Sequence, residues 1–216
     1  MPRREAGAEE FVPATGGLSA MASAVQTCRG CALYENATQA VFGEGSARAR
    51  VLLVGEQPGA SEDVEGHPFV GPAGGTLDRA FRETGLRRDD VYLTNVVKHF
   101  KFAPAERGKR RIHKKPSAGE VRACTPWLTA ELRLVKPELV VCLGATAAKA
   151  LFGESFRVTH HRGVLLDFPE SFELGERGPD SALATVHPSS VLRATDREAA
   201  YLDFRNDLRT AAEALD

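Results

Sequence analysis

The 216-residue chain lacks three features that would place it in a specialised class of proteins. It has no run of about 18 apolar residues, which excludes a transmembrane helix of the usual kind. Residues 1–17, MPRREAGAEEFVPATGG, lack the apolar core of a secretory signal and are typical of a polar, disordered N-terminal tail. The formal net charge is only −1, so overall charge indicates no polyanionic partner. We therefore expect a cytoplasmic monomer with one folded domain over residues 18–216 and no membrane partner.

Cysteines are few, and their spacing is uneven. Cys28 and Cys31 form the close pair CRGC, whereas Cys124 and Cys142 stand 18 residues apart. In a reducing compartment four cysteines are more often ligands than disulfides, and four thiolates complete a zinc site or hold one iron–sulfur cluster. A zinc module usually repeats the close spacing in a second pair, so the wide second pair favours a cluster. The alternative is that Cys124 and Cys142 are ordinary buried side chains.

Positive charge is concentrated in one segment of the chain. Residues 98–115 contain eight lysines and arginines and a single acid. Within it, the run GKRRIHKK (108–115) encloses one histidine, His113, which adds little charge of its own at pH 7. A local basic face on a near-neutral protein is typical of nucleic-acid binding, because phosphate neutralisation depends on local charge. A solvated loop whose imidazole has no role is the alternative for an isolated basic run.

Hydrophobic patterning predicts an α/β protein. Apolar, β-branched runs predict buried strands at 49–59, 91–100, 138–144 and 181–186. Helical patterns lie at 71–85, at 117–137 and from about 196 to 214. The second helix opens with a capping box formed by Ser117 and Glu120. The alternation of strands and helices predicts a three-layer α/β/α sandwich around a central, mostly parallel four-stranded sheet.

Polar residues follow three of the predicted strands. Glu56 and Gln57 lie in GEQPG after the first strand, Asn95 lies in the second, and His187 begins HPSS after the last. Sites in parallel sheets gather beyond the carboxyl ends of the strands, so we expect these side chains to meet. Each residue alone has an ordinary explanation, such as a capped turn or a satisfied backbone group. Their joint position at neighbouring strand ends favours a functional site.

Four motifs together carry a specific resemblance. GEQPG, EGHPFVGPAGGTLDRAF, LTNVVKHF and HPSSVLR, with the four-cysteine layout, resemble the iron–sulfur uracil-DNA glycosylases of the family-4 type over roughly residues 25–210. The basic segment KRRIH further resembles the UdgX branch, whose members form a covalent complex with uracil-containing DNA. At Gln57 the chain departs from family 4, where an Ala or Gly is usual.

The resemblance implies a cofactor and a base-binding pocket. It implies that a [4Fe–4S] cluster with a structural role is held by Cys28, Cys31, Cys124 and Cys142. It also implies that uracil is bound by Gly55, Phe69 and Asn95. Phe69 would stack on the flipped base, and the Asn95 amide would read its edge by donating to O4 and accepting from N3–H.

The resemblance and the local chemistry also assign residues to DNA binding and to the leaving group. His187 would lie near uracil O2, where negative charge gathers as the base departs. The basic residues of the run would hold phosphates, and the HPSS loop would grip the DNA backbone. The residues predicted to contact DNA are Lys109, Arg110, Arg111, Ser189, Ser190 and Arg193.

The histidine inside the basic run has a chemical explanation. Departure of uracil leaves an electrophilic sugar carbon, C1′, which water normally captures. A neutral imidazole beside C1′ would capture it first, because a neighbouring group has a very high effective concentration. His113 is predicted to be that group, with Glu56 accepting its other ring N–H and Gln57 counted among the catalytic residues.

The predicted function is therefore recognition of uracil in DNA, preferably single-stranded, cleavage of the N-glycosidic bond and linkage of the sugar to His113. Such a protein would be consumed by one turnover. One alternative is a uracil-DNA glycosylase with normal turnover, in which KRRIH only clamps phosphate. Another is a non-catalytic iron–sulfur protein that binds uracil-containing DNA.

Overall fold

The computed structural model describes residues 6–103, 111–170, 172, 174 and 178–215. Its strands, in chain order, are β1 (Glu44–Gly45), β2 (Val51–Gly55), β3 (Val91–Asn95), β4 (Phe102–Ala103), β5 (Ile112–His113), β6 (Leu139–Leu143), β7 (Leu165–Asp167) and β8 (Ser181–Thr185). Its α-helices are α1 (Leu18–Ala24), α2 (Ala60–Glu65), α3 (Pro72–Thr84), α4 (Ala118–Val135), α5 (Ala145–Phe152), α6 (Val158–His161), α7 (Pro188–Arg193) and α8 (Arg197–Glu213). None of these helices has both the length and the apolar character needed to cross a membrane.

The central sheet has the strand order β1-β3-β2-β6-β8-β7. The four inner strands are parallel to one another, whereas β1 and β7 pair antiparallel at the two edges. The mostly parallel α/β fold is confirmed, but the sheet has six strands rather than the predicted four. The two edge strands are only two and three residues long, too short to show the alternation that identifies a strand in a sequence.

Helices cover both faces of the sheet. Along β2, Val51 and Leu53 enter one core cluster and Leu52 and Val54 enter another, as expected because successive side chains of a strand point to opposite faces. The first cluster is completed by apolar residues of α3 and α8, and the second by apolar residues of α4 and α5. The sheet is therefore the middle layer of three.

Three helices follow their sequence signals closely. α3, α4 and α8 lie within two residues of the predicted bounds at each end. The capping box is present, since the Ser117 hydroxyl accepts from the Glu120 N–H and the Glu120 carboxylate accepts from the Ser117 N–H. Asp196 caps α8 by accepting from the Ala199 N–H. These caps explain why the helix starts could be read from the sequence.

The N-terminal segment is packed from residue 6 onward. The Gly7 N–H donates to the Gly30 carbonyl, and the Ala8 N–H donates to the Ala123 carbonyl. Ala8 is only 1% exposed. Within the predicted disordered tail, residues 7–12 therefore contact the domain, while residues 1–5 lie outside the described part of the chain. The segment is held by these hydrogen bonds and by the packing of Ala8, Phe11 and Val12, and three apolar residues are too few to form a hydrophobic pattern in the sequence.

Candidate active site

The carboxyl ends of β2, β3 and β8 face one cavity of about 980 Å³. Among the residues that line it are most of those predicted for the site: Glu56, Gln57, Phe69, Asn95, Arg111, His113, His187, Ser189 and Arg193. They come from segments far apart in the chain, which the parallel sheet brings to one edge. The fold thus places two imidazoles, a carboxylate, two side-chain amides and an aromatic ring around one space.

Phe69 and Asn95 are buried side chains that line the cavity, and both lie close to Gly55. Asn95 ends β3 and is 3% exposed, and Phe69 is 6% exposed. A Cβ atom at Gly55 would collide with Asn95 Oδ1 and would lie 2.8 Å from Phe69 Cζ. Only glycine at this position leaves both side chains where they are. Gly55 therefore shapes the pocket by its missing side chain.

His187 lies at the start of α7 with its ring roughly parallel to that of Phe69, the two centroids 6.2 Å apart. Its Nδ1 accepts the Ser189 N–H at 3.2 Å. Burial, with smaller contributions from Arg193 and His113, lowers the pKa of His187 to about 4. The ring is therefore neutral at pH 7, and because Nδ1 is an acceptor, the proton is carried by Nε2.

The two serines of the HPSS loop contact His187. Ser189 Oγ lies 2.8 Å from His187 Nδ1, and Ser190 Oγ donates to the His187 carbonyl at 2.6 Å. Both hydroxyls were predicted to contact DNA. The Ser189 hydroxyl helps to orient the imidazole and the Ser190 hydroxyl binds the backbone at His187, while the predicted contacts of both serines with DNA stay predictions. Arg193, the last residue of α7, is exposed and lines the cavity.

His113 is carried by the small antiparallel sheet of β4 and β5, in which Phe102 pairs with His113. Lys109 and Arg110 lie in residues 104–110, outside the described residues, so their predicted phosphate contacts stay predictions. The His113 ring lies 5.9 Å from that of Phe100, and its side chain is 51% exposed. The hairpin thus brings an accessible imidazole to the cavity edge.

Gln57 is the nearest polar neighbour of His113. Its Oε1 accepts the Lys101 N–H at 3.1 Å, and its Nε2 donates to the carbonyls of Lys101 and Lys114 at 3.2 and 3.1 Å. The same Nε2 lies 2.8 Å from His113 Nε2. An Ala or Gly could make none of these contacts. Gln57 therefore ties the hairpin that carries His113 to the loop after β2.

Glu56 was predicted to accept the ring N–H of His113. Its Oε1 lies 3.7 Å from His113 Nε2, which is too long for a hydrogen bond. Its other carboxylate oxygen accepts from Thr146 Oγ1 at the start of α5. Glu56 is thus held beside the imidazole as a nearby negative charge, while the direct contact belongs to Gln57.

Arg111, predicted to bind phosphate, makes several contacts within the protein. Its guanidinium lies 2.6 Å from Asp63 Oδ2, donates to the Ala60 carbonyl at 3.2 Å, and packs over the rings of Phe100 and Phe102. Asp63 is fully buried. These contacts anchor the hairpin to α2, while the predicted phosphate contact of Arg111 stays a prediction.

Three of the four cysteines share one buried region. Cys28, Cys31 and Cys124 belong to the same core cluster, and each is less than 10% exposed. The indole N–H of Trp127 donates to Cys28 Sγ, and the backbone N–H of Lys98 donates to Cys124 Sγ, both at 3.3 Å. Burial raises the pKa of Cys124 to about 12, so a metal would have to displace its proton. N–H donors to sulfur are typical of the surroundings of metal-bound thiolates, and these three residues fit such a role.

Cys142 is not part of that group. It lies on β6, in register between Val54 and Ala184, and it packs in the core cluster between the sheet and α4 and α5. Within the described residues, no group of three or more His, Cys, Asp or Glu side chains is arranged to hold a metal ion. The structure thus separates Cys142 from the other three cysteines, because a side chain in the middle of a central strand packs against the helices that cover the sheet, and the predicted ligation of a cluster stays a prediction.

Sequence reasoning missed several polar residues that support the site. Asp63, Glu62 and Thr146 are buried and contact Arg111, Gly71 and Glu56 respectively. Asp63 and Glu62 stand in the acidic stretch ASEDVEG, which looks like an ordinary solvated helix face. A carboxylate in a charged stretch carries no signal of burial, so only the fold reveals its partner.

Comparison with known proteins agrees with this geometry. Residues 42–209 match the family described as the Uracil DNA glycosylase superfamily. The type-4 uracil-DNA glycosylase of Thermotoga maritima is 37% identical over 175 residues, covering 81% of this chain and 82% of that protein. The type-4 uracil-DNA glycosylase of Pyrobaculum aerophilum is 36% identical over 185 residues, covering 85% and 87% respectively. That of Archaeoglobus fulgidus is 34% identical over 187 residues, covering 84% and 86%. The chain therefore belongs to the uracil-DNA glycosylase superfamily.

Proposed function

We propose that the protein recognises uracil in DNA, cleaves its N-glycosidic bond and becomes linked to the sugar through His113. The observation that carries the proposal is the convergence of His113 with Phe69, Asn95 and His187 on one cavity. The relatives named above are type-4 uracil-DNA glycosylases, which supports the choice of substrate. We expect the protein to act as a monomer and to prefer single strands, because extracting a base from a duplex costs additional free energy.

Recognition of the base would use Phe69 and Asn95. The Phe69 ring offers a rigid face against which a flipped pyrimidine can stack. The Asn95 amide, held at the end of β3, can donate to uracil O4 and accept from N3–H, whereas cytosine presents the opposite pattern at those atoms. Gly55 supports this by leaving room for both side chains.

Departure of uracil would be assisted by His187. The bond between uracil N1 and sugar C1′ breaks with its electron pair staying on the base, so negative charge develops at O2. The neutral His187 ring carries its proton on Nε2 and can donate it in a hydrogen bond to that oxygen. The Ser189 N–H holds Nδ1 and so fixes both the tautomer and the ring orientation.

Capture of the sugar would be performed by His113. A lone pair on one ring nitrogen of His113 forms a bond to the electrophilic C1′. The proton on the other ring nitrogen passes to solvent, and the departed uracil anion takes up a proton from solvent. Glu56, 3.7 Å from the ring, supplies negative charge while the sugar and then the imidazole are positive. Gln57 and Arg111 would hold the hairpin so that the imidazole reaches C1′ before water does.

The anchoring of Arg111 favours this function over simple phosphate clamping. If the basic run served only to bind phosphate, its arginines should face solvent. Instead, the arginine nearest to His113 is bound to a buried carboxylate and stacked on two rings. The remaining phosphate contacts would come from Lys109, Arg110 and Arg193.

A [4Fe–4S] cluster would be held by Cys28, Cys31 and Cys124. The hydrogen bonds to two of these sulfurs support their assignment as thiolate ligands. The fourth coordination position would be filled by a group other than Cys142. Bound there, the cluster would have a structural role, joining the CRGC loop to α4.

The decisive experiment compares the wild-type protein with His113→Ser on denaturing gels. Oligonucleotides containing uracil or thymine are mixed with each protein, and free uracil is measured in parallel. We expect the wild-type protein to form a denaturant-stable adduct with the uracil strand alone. His113→Ser should lose the adduct and release uracil with turnover, because water regains access to C1′. His160→Ser, which changes an exposed histidine on α6, is the matched control.

Each other outcome points to a different function. Turnover without an adduct in the wild-type protein would identify an ordinary uracil-DNA glycosylase. Binding without any cleavage would identify a non-catalytic protein. An adduct that persists in His113→Ser, or a modified peptide that lacks His113 in mass spectrometry, would refute the role of this histidine.

A further inference from the structure

One buried carboxylate in the cavity has no part in the chemistry above. Glu62, on α2, is 8% exposed and lines the cavity. Its Oε1 accepts the Gly71 N–H at 2.9 Å. A Cβ atom at Gly59 would lie only 2.5 Å from its Oε2. The carboxylate is therefore packed tightly between two glycines that belong to different loops.

The two loops that meet at Glu62 are the ones that carry site residues. Gly59 ends the loop after β2, which contains Glu56 and Gln57. Gly71 ends the turn that begins at Phe69 and immediately precedes α3. Glu62 thus connects the turn that positions Phe69 to the loop that positions the groups beside His113.

Phe69 needs such a connection because its backbone is in an unfavourable conformation. Its φ angle is 57°, in the left-handed region that residues other than glycine seldom adopt. Surrounding contacts must hold a residue in that region. On one side Gly74 allows the close approach of the Phe69 carbonyl, where a Cβ atom would collide with it. On the other side, the hydrogen bond from Gly71 to Glu62 fixes the end of the same turn.

We infer that Glu62 is a positioning residue for Phe69, whose carboxylate, by accepting the Gly71 N–H, holds the ring where it stacks on uracil. This inference rests on the proposed stacking role of Phe69. It assigns to Glu62 no contact with the substrate. What the interaction requires is an acceptor oxygen at the position of Oε1, and a negative charge is not needed.

A matched pair of variants isolates the acceptor oxygen. Glu62→Gln keeps an acceptor at nearly the same position, whereas Glu62→Met keeps the length of the side chain without one. Single-turnover uracil release is measured for both, for Phe69→Ala and for the double variant Glu62→Met/Phe69→Ala. Glu65→Ala, which changes an exposed carboxylate on the same helix, is the control, and thermal unfolding shows which variants are folded.

We expect Phe69→Ala to slow uracil release by about 10- to 100-fold, the range typical of losing one base-stacking contact. Glu62→Met should slow it to a similar degree, Glu62→Gln should stay within a few fold of the wild-type rate, and affinity for a thymine-containing strand should be unchanged. The double variant should be no slower than the slower single variant, because both changes remove the same interaction.

Two results would overturn the inference while leaving the function intact. One is multiplication of the two single effects in the double variant, which would mean that Glu62 acts independently of Phe69. The other is a Glu62→Gln rate as low as that of Glu62→Met. Wild-type rates in Phe69→Ala would instead overturn the stacking role itself, and the inference with it.

Discussion

Two ion pairs of the same length lie in different surroundings. Lys98 Nζ lies 2.6 Å from Glu131 Oε2 with both side chains fully buried, and Arg111 lies 2.6 Å from the buried Asp63 but is itself 25% exposed. The first pair joins the end of β3 to α4 inside the core. The second joins the His113 hairpin to α2 beside the cavity. The comparison indicates that the burial of an ion pair and the elements it joins, rather than its N···O distance, decide whether its loss affects the stability of the fold or the geometry of the site.

The core pair is part of a network in which each polar atom has a partner. Lys98 Nζ also donates to Thr94 Oγ1 and to the Asn95 carbonyl, at 2.7 and 2.8 Å. Glu131 also accepts from Tyr92, Thr94 and the Gly43 N–H. Burial, followed by the nearby Glu131 carboxylate, raises the pKa of Tyr92, so this hydroxyl stays protonated and donates. Such a network is stable when complete and costly when one member is removed.

The comparison is tested most severely by removing one charge from the core pair. Lys98→Met would leave Glu131 buried and unpaired, and we expect a loss of about 3–5 kcal/mol in the free energy of unfolding. Urea unfolding measures this loss. The double variant Lys98→Met/Glu131→Gln, which removes both charges and keeps an acceptor for Gly43, should recover much of it. A loss below about 1 kcal/mol in the single variant would show that the core pair is not a major determinant of stability.

The hairpin pair should affect the site more than the fold. Arg111→Met leaves Asp63 with its remaining hydrogen bonds from Thr38, so we expect a loss of about 1–3 kcal/mol in unfolding free energy. The rate of adduct formation should fall by up to about 100-fold, because His113 is no longer held in place. Lys114→Met removes the same charge from an exposed neighbour and is the matched control. Equal effects of the two variants on the rate would mean that Arg111 acts through charge alone.

Substitution of the cysteines tests whether the core near Lys98 contains a cofactor site. Cys124→Ala should lose bound iron and the absorbance at about 400 nm that is typical of thiolate-bound iron. Cys142→Ala should keep both and lose only about 1 kcal/mol of stability, as expected for a small change in a packed core. Loss of iron in Cys142→Ala would place this residue among the ligands after all. A colourless wild-type protein containing zinc would remove the cluster from the proposal.

The smallest predicted effect is the pH dependence of stability that arises from His187 beside the cavity. Folding lowers the pKa of His187 from about 6.5 to about 4 through burial, so the unfolded chain binds more protons than the folded protein between these values. The stability that depends on the neutral ring is complete above about pH 6.5 and falls as the pH drops toward 4. Burial lowers the pKa of His99 to about 4 as well, so between pH 7 and pH 6 we expect a loss of roughly 1 kcal/mol from the two histidines, about half of it from His187, measured by urea unfolding. The same pH slope in His187→Gln would show that another group is responsible.

Local patterns in the sequence were sufficient to predict the inner strands, three helices and the residues at the strand ends. Apolar β-branched runs identify β2, β3, β6 and β8 because a strand buried on both faces must be apolar throughout. Parallel strands place their carboxyl ends at one edge, so Glu56, Asn95 and His187 could be expected to meet. The capping residues before α4 and α8 act within a few residues of their own position, and such local signals survive in the sequence.

Residue patterns were therefore enough to predict the fold class, the family resemblance and the residues at the strand ends. Which side chains touch became apparent from the folded domain alone. It separated Cys142 from the other three cysteines, brought Asp63 to Arg111, and replaced Glu56 by Gln57 as the direct neighbour of His113. The physical reason is that burial and pairing of polar groups depend on contacts between residues distant in the chain. Residue type and spacing indicate which chemistry a side chain can perform, whereas the group that it contacts depends on the packing of the whole domain.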